Sequence, residues 1–98
     1  MNMQNLMREA QKMQAELAKT QKELETTNYE GTSSLVNVMV NGKKDLLKLE
    51  ILDKENFDLE DLEMLEDMVI VAIQDAFKKA DKDKESKLSK YQGLSGLL

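Results

Sequence analysis

Seven positions between Met3 and Leu24 step by three and four in strict alternation: Met3, Leu6, Ala10, Met13, Leu17, Thr20 and Leu24, of which only Thr20 is polar. A period of about 3.5 residues is the seam of a coiled coil, or of a helix laid along another helix. Gln, Lys, Glu, Ala and Met fill most of the positions between, and all are good helix formers. At 1.5 Å per residue, a helix over about residues 2–27 runs roughly 35 Å. The rest of so short a chain cannot cover it, so the spacing predicts a helix that projects.

Charge is segregated around that helix. At 100° per residue, Arg8, Lys12, Lys19 and Lys22 fall within an arc of about 80° opposite the seam. Glu9, Glu16 and Glu23 repeat every seven residues and flank the seam instead. One reading is a solvated face laced by pairs such as Glu9–Lys12 and Lys19–Glu23. The other is a cationic stripe able to follow a phosphate backbone. Geometry alone leaves both open.

The stretch VNVMVNGKKDLLKLEI, residues 36–51, has the alternation of a β-hairpin, with Asn41-Gly42 in the turn. Val36, Val38 and Val40 share one face of the first strand. Leu47, Leu49 and Ile51 share a face of the second, opposed to Leu46, Lys48, Glu50 and Leu52. Thr27 to Thr32 can add a short strand before the hairpin. A hairpin is marginal alone in water, and an antiparallel sheet with one apolar face needs a cover.

That cover is a second helix over about residues 58–85, with Asp58 as N-cap and Asp61 in the capping-box position. Nine acids and one lysine lie between Glu50 and Asp67. Those in the first turns of the helix suit the positive end of its dipole, and no metal site is expected from them. The run MVIVAI, residues 68–73, makes the helix apolar nearly all round, so it is buried on more than one side. The hairpin, through its valines and Leu47, Leu49 and Ile51, takes one side around Leu65 to Ile73. A second copy of the chain is the economical partner for the other. Leu62, Met64, Leu65, Met68, Val69, Val71, Ala72 and Ile73 are the expected dimer-interface residues. Beyond Phe77, six lysines among residues 78–90 read as a solvated extension of the helix. Residues 1–90 form a single domain on this reading. Residues 91–98 read as a flexible tail whose Leu94, Leu97 and Leu98 can dock on a neighbour.

Several function classes are excluded. The chain has no Cys and no His, which removes disulfides, thiolate metal sites, the Cys nucleophile and the commonest general base. No spacing of Ser, Thr, Tyr or carboxylates suggests catalysis, so neither an enzyme nor a cofactor nor a small-molecule substrate is expected. MNMQNLMREAQKMQ lacks the apolar core of a signal peptide, and MVIVAI is far short of a membrane span. A soluble cytoplasmic chain without a membrane partner is expected. The net charge of −5 opposes a phosphate partner on average, so only local basic surface can bind one. The helix-1 stripe offers it, with Lys43 and Lys44 at the hairpin tip as additions.

Three stretches, taken in order, resemble the YbaB/EbfC family of bacterial nucleoid-associated proteins. NMQNLMREAQKMQAEL is similar to its opening helix, LVNVMVNGKKDLLKLEI to its central hairpin, and EDLEMLEDMVIVAIQDAFKKAD to its most recognisable segment. The resemblance implies an α+β fold of order α-β-β-β-α, an intertwined homodimer with protruding helices, and association with the nucleoid. It also implies binding of double-stranded DNA with little sequence preference. Joined to the residue reading, it assigns DNA contact to Arg8, Lys12, Lys19, Lys22, Lys43 and Lys44. The sequence departs from the family pattern at TSS, where glycines usually precede the first hairpin strand. Lys44 stands where a glycine commonly follows the turn lysine, Leu59 stands for a proline, and the tail lacks the usual Gly-Met-Pro ending. The competing expectation is a dimeric protein-interaction scaffold that uses the helix-1 seam and has little DNA affinity.

Overall fold

In the computed structural model, which describes residues 2–91, Asn2 opens the first helix by accepting the Gln4 N–H on its Oδ1 at 3.0 Å. The chain is then helical from Met3 to Thr26 (α1). Thr26 and Thr27 end it by turning their hydroxyls back to the Glu23 carbonyl, at 3.1 and 2.7 Å, and Thr27 is already extended. Three strands follow, β1 (Asn28–Ser33), β2 (Val36–Asn41) and β3 (Leu46–Ile51), forming one antiparallel sheet in the order β1-β2-β3. Two single 3₁₀ turns, Lys54–Asn56 and Leu59–Asp61, lead into α2 (Leu62–Leu88), and a last 3₁₀ turn spans Ser89–Tyr91. Asp61 accepts the Asp58 N–H on its carboxylate at 3.2 Å, so the capping signal operates one turn before α2 proper. The expected order α-β-β-β-α is the observed one. Apart from Tyr91, the expected tail lies outside the described residues.

The two hairpin connections show where local chemistry is strained. The β1–β2 loop is the pair Ser34-Leu35, and Ser34 has a left-handed φ of 48°. At the other hairpin, Asn41 brackets the loop Gly42-Lys43-Lys44: its N–H donates to the Asp45 carbonyl at 3.1 Å, and its side-chain oxygen accepts the N–H groups of Lys43 and Asp45. The left-handed position there is Lys44, at φ 67°, and not Gly42. Gly42 has a different task. A Cβ on it would lie 1.8 Å from the Leu24 carbonyl oxygen, so it lets the end of α1 rest directly on the hairpin loop.

The core is one layer of sheet under one helix. Val36, Val38 and Val40 are buried against Ala72 and Ala76 of α2, with Tyr29, Leu65, Met68, Val69, Ile73 and Phe77 packed around them. Fully burying a valine is worth about 1.5–3 kcal/mol. Gly31 of β1 sets the depth of the contact. A Cβ there would lie 2.0 Å from the Ala72 carbonyl oxygen and 2.7 Å from the Ala76 Cβ, so only small residues on both elements permit this approach. Polar groups of α2 finish the β1 edge: Asp75 accepts the Thr32 N–H at 3.0 Å, and Lys79 donates to the Glu30 carbonyl at 2.9 Å.

One expectation about the sheet is corrected. α2 lies over β1 and β2 and scarcely touches β3. Leu47, Leu49 and Ile51 are therefore not packed on α2, and β3 is exposed along nearly its whole length. An irregularity between Met39 and Val40 pairs Val40 with Leu46 and leaves Leu47 unpaired. It is Leu46, Leu49 and Ile51 that continue the valine face, and among the described residues no element roofs them.

Candidate nucleic-acid interface

α1 carries the basic stripe away from this body. It meets α2 and β2 only towards its C-terminal end: Leu24 is buried, Leu17 and Thr20 are half-buried, and every described residue before Leu17 is exposed. The molecule is 71 Å long and only 18 by 15 Å in section, as a helix leaving a small sandwich requires. Exposure of the seam is correspondingly high, from 39% at Met13 to 78% at Met3.

Arg8, Lys12, Lys19 and Lys22 are all exposed on this helix. Among the described residues none of them forms an ion pair, and the pairs Glu9–Lys12 and Lys19–Glu23 that the spacing allowed are not made. At 1.5 Å per residue the four span about 21 Å of helix. Four cations with free ammonium or guanidinium groups along one ridge can each meet a phosphate without first breaking an intramolecular contact.

The two hairpin-tip lysines part company. Lys43 is exposed and lines a groove of about 290 Å³ with Gln21, Leu24, Glu25 and Lys84. Its charge lies beside the root of α1, and Lys84 of α2 joins it there. Lys44 is already engaged: its Nζ is 2.8 Å from Asp81 Oδ1 and 5.9 Å from the centre of the Phe77 ring. It ties the hairpin tip to α2, so a phosphate meeting Lys44 competes with Asp81 for its ammonium. Lys84 was legible only as one of six lysines after Phe77, because the sequence does not show that α2 passes beside the hairpin tip.

A second set of contacts fixes α2 on β1. The Tyr29 hydroxyl donates to Asp83 Oδ2 at 2.6 Å, and Lys87 pairs with the same carboxylate at 3.1 Å. Burial first, and then the hydrogen bond to the Asp83 carboxylate, pushes the Tyr29 hydroxyl up to about 12. The same hydrogen bond, with Lys87 beside it, holds Asp83 below the usual carboxylate range. Asp75 is also held low, chiefly by the Thr32 N–H that it accepts.

The residues proposed to join two copies divide in the same way. Ala72 is wholly buried within the protomer, and Leu65, Met68, Val69 and Ile73 pack half-buried on the protomer's own core. Ala72 in particular is core and has no surface to offer a partner. Leu62, Met64 and Val71 are exposed on α2. They are joined by Ile70, 53% exposed, and by Leu46 and Leu49 on the unroofed strand. The apolar ring around residues 68–73 signalled two-sided burial, but the side chains belonging to each side depended on how α2 lies on the sheet.

The family described as YbaB/EbfC DNA-binding family matches residues 1–95 of this chain. Proteins named nucleoid-associated protein are similar over nearly its full length. The one from Bacillus thuringiensis is 44% identical over 97 residues, covering 96% of this chain and 88% of its own. The one from Enterococcus faecalis is 40% identical over 98 residues, covering 97% and 93%. In fold, the crystal structure of an uncharacterized protein from Helicobacter pylori superposes with a TM-score of 0.70 at 23% identity, over 92% of this chain and 96% of that one.

Proposed function

The chain belongs to the YbaB/EbfC DNA-binding family, and on that premise we propose that it binds double-stranded DNA as a homodimer, with little sequence preference, through the basic faces of two projecting α1 helices. Its place of action on this reading is the nucleoid, in a bacterial cytoplasm. The observation that carries the proposal is the ridge of Arg8, Lys12, Lys19 and Lys22, exposed and unpaired among the described residues on a helix that leaves the body. Lys43 and Lys84 extend it at the root. Contact of this kind goes to phosphates. The chain holds a single arginine, Arg8, so the forked guanidinium contact to guanine is available at one position per protomer at most.

Replacing Arg8, Lys12, Lys19 and Lys22 together with Gln abolishes band shifts of mixed-sequence duplex at low salt, with the melting temperature unchanged. Undiminished binding by that variant rejects the stripe. The logarithm of the wild-type affinity falls against the logarithm of salt with a slope of about −0.9 for each phosphate met, roughly −3.6 for one complete stripe.

The homodimer is supported by the apolar surface left open on one protomer, formed by Leu46 and Leu49 of β3 with Leu62, Met64, Ile70 and Val71 of α2. Ile70→Glu turns the dimer into monomer in sedimentation. A variant that stays dimeric places the interface elsewhere.

The exposed seam of α1, from Met3 to Met13, favours one alternative, a scaffold that captures a partner helix. Absence of binding to arbitrary duplex at every salt concentration selects that reading.

A further inference from the structure

The seam of α1 changes character along its length. Leu17, Thr20 and Leu24 are half-buried or buried against the body, whereas Met3, Leu6, Ala10 and Met13 of the same seam are exposed. Met7, next to them on the helix surface, is 61% exposed. From Met3 to Met13 the helix thus presents about 15 Å of apolar strip, at the spacing that packs on another helix. The body occupies the seam side of α1 from Leu17 onward, and this restricts the approach. A second α1 laid parallel and in register runs into the body. An antiparallel one leaves over the tip and meets nothing.

We propose that the occupant of this strip is the same strip of a second copy, packed antiparallel about a twofold axis level with Arg8. In that register Leu6 falls opposite Ala10 of the second copy and Met3 opposite Met13, each contact being made twice. A large side chain over a small one lets the helices approach closely, and methionine adapts its shape at the two ends. On one flank Met7 meets Met7. On the other, Glu16 lies beside Asn2 of the second copy, at the positive end of its helix, while Glu9 faces Glu9. Neither glutamate forms an ion pair among the described residues, so both are free to take these positions. The second helix ends level with Gln14, short of Leu17, and its body lies beyond the tip of the first. The strip is therefore complementary to itself in length, in size and in charge at its ends, with like charges opposed only at its middle. So short a contact is weak between free molecules and forms where arms are held close together. Arg8, Lys12, Lys19 and Lys22 lie away from the strip and stay exposed, one stripe facing outward on each side of the pair. On the DNA-binding reading, such a pair of arms bridges two duplexes; the pairing itself does not depend on that reading.

The chain has no cysteine, so Met3→Cys and Met13→Cys variants of the full chain carry one thiol each. Oxidation of their mixture is expected to yield mainly the disulfide between positions 3 and 13. The same product forms when both variants also carry Ile70→Glu, and it is lost when both carry Leu6→Glu. A preponderance of 3–3 and 13–13 links overturns the antiparallel pair, and absence of links overturns the contact altogether. Glu9→Gln removes the facing carboxylates, so in sedimentation of the Ile70→Glu protein it strengthens association about twofold. Unchanged or weaker association overturns the register. No step involves DNA and the cross-link is read with and without Ile70→Glu, so failure here is distinct from failure of DNA binding or of the α2-centred dimer.

Discussion

The two helices are of similar length, 24 residues in α1 and 27 in α2, yet they meet the same sheet in opposite ways. α2 lies along β1 and β2, seated on a line of small residues where Gly31 faces Ala72 and Ala76. α1 touches the sheet at its end, where Leu24 rests on Gly42. The seam of α1 is no less apolar than the face of α2 that is buried. What distinguishes the two is the depth of approach allowed by small residues on the facing element. A row of them makes a roof, and a single one makes a pivot.

Gly31→Val strikes the row. The new side chain meets the Ala72 backbone and must part β1 from α2, at a cost of about 3 kcal/mol or more. Thermal unfolding reports this as a fall of roughly 12 °C or more in Tm for a domain of this size. If the protein tolerates it, the roof does not depend on close approach. Gly42→Val strikes the pivot. The core stays intact while α1 is displaced, and the expected cost is about 1–2 kcal/mol. A distance between spin labels on α1 and α2 then shifts or broadens, whereas a cooperative loss of structure equal to that of Gly31→Val erases the distinction between roof and pivot.

Tyr29→Phe tests the polar seam between β1 and α2 and costs about 1 kcal/mol at neutral pH. Its signature is in the pH dependence. Tyr29 is raised in the folded state, so its contribution is complete below its ordinary value of 10.0 and is lost as pH climbs through about 12. Asp75 and Asp83 are lowered, so theirs is complete above 3.8 and is lost as pH falls below it. Tm therefore declines on both sides, and Tyr29→Phe flattens the alkaline limb and weakens the Asp83 share of the acid one, leaving that of Asp75. An unchanged alkaline limb shows that the hydroxyl contributes nothing to the seam. The smallest change is Ser34→Gly. It relieves a left-handed residue in the β1–β2 loop and raises stability by about 0.5 kcal/mol in denaturant titration, with α1 and α2 unmoved.

Much of this was legible in the residues because it depends on local periodicity. The 3-4 spacing to Leu24, the valine alternation at 36–40 and the all-round apolar stretch at 68–73 each marked an element, and their order defined the α+β arrangement. The failures have a common physical origin in the way elements lie on one another. Leu47 was assigned to the covered face, but one irregular pair in the β2–β3 ladder inverted its position and α2 stopped short of β3. Ala72 was assigned to an interface although it is wholly buried within the protomer. That Lys44 is paired could not be read either, because neither Asp81 nor the Phe77 ring is near it in sequence. In the stripe, sequence could place four cations on one face but could not tell that their acidic neighbours would leave them unpaired.

The hairpin tip can also be viewed as a mechanical part. Part of any pull on α1 reaches the body through Leu24, bearing on the loop at Gly42. Two residues on, that loop is fastened to α2 by the Lys44–Asp81 bond laid across Phe77. That part of the load is delivered to the long helix through an electrostatic strut, half-exposed and weakened by salt, beside the direct contact of α1 with α2 and the chain's own run into β1. The ionic medium thus acts on this strut in the same sense as on any charge-based grip at the tip, so high salt loosens one tie of the arm along with its hold.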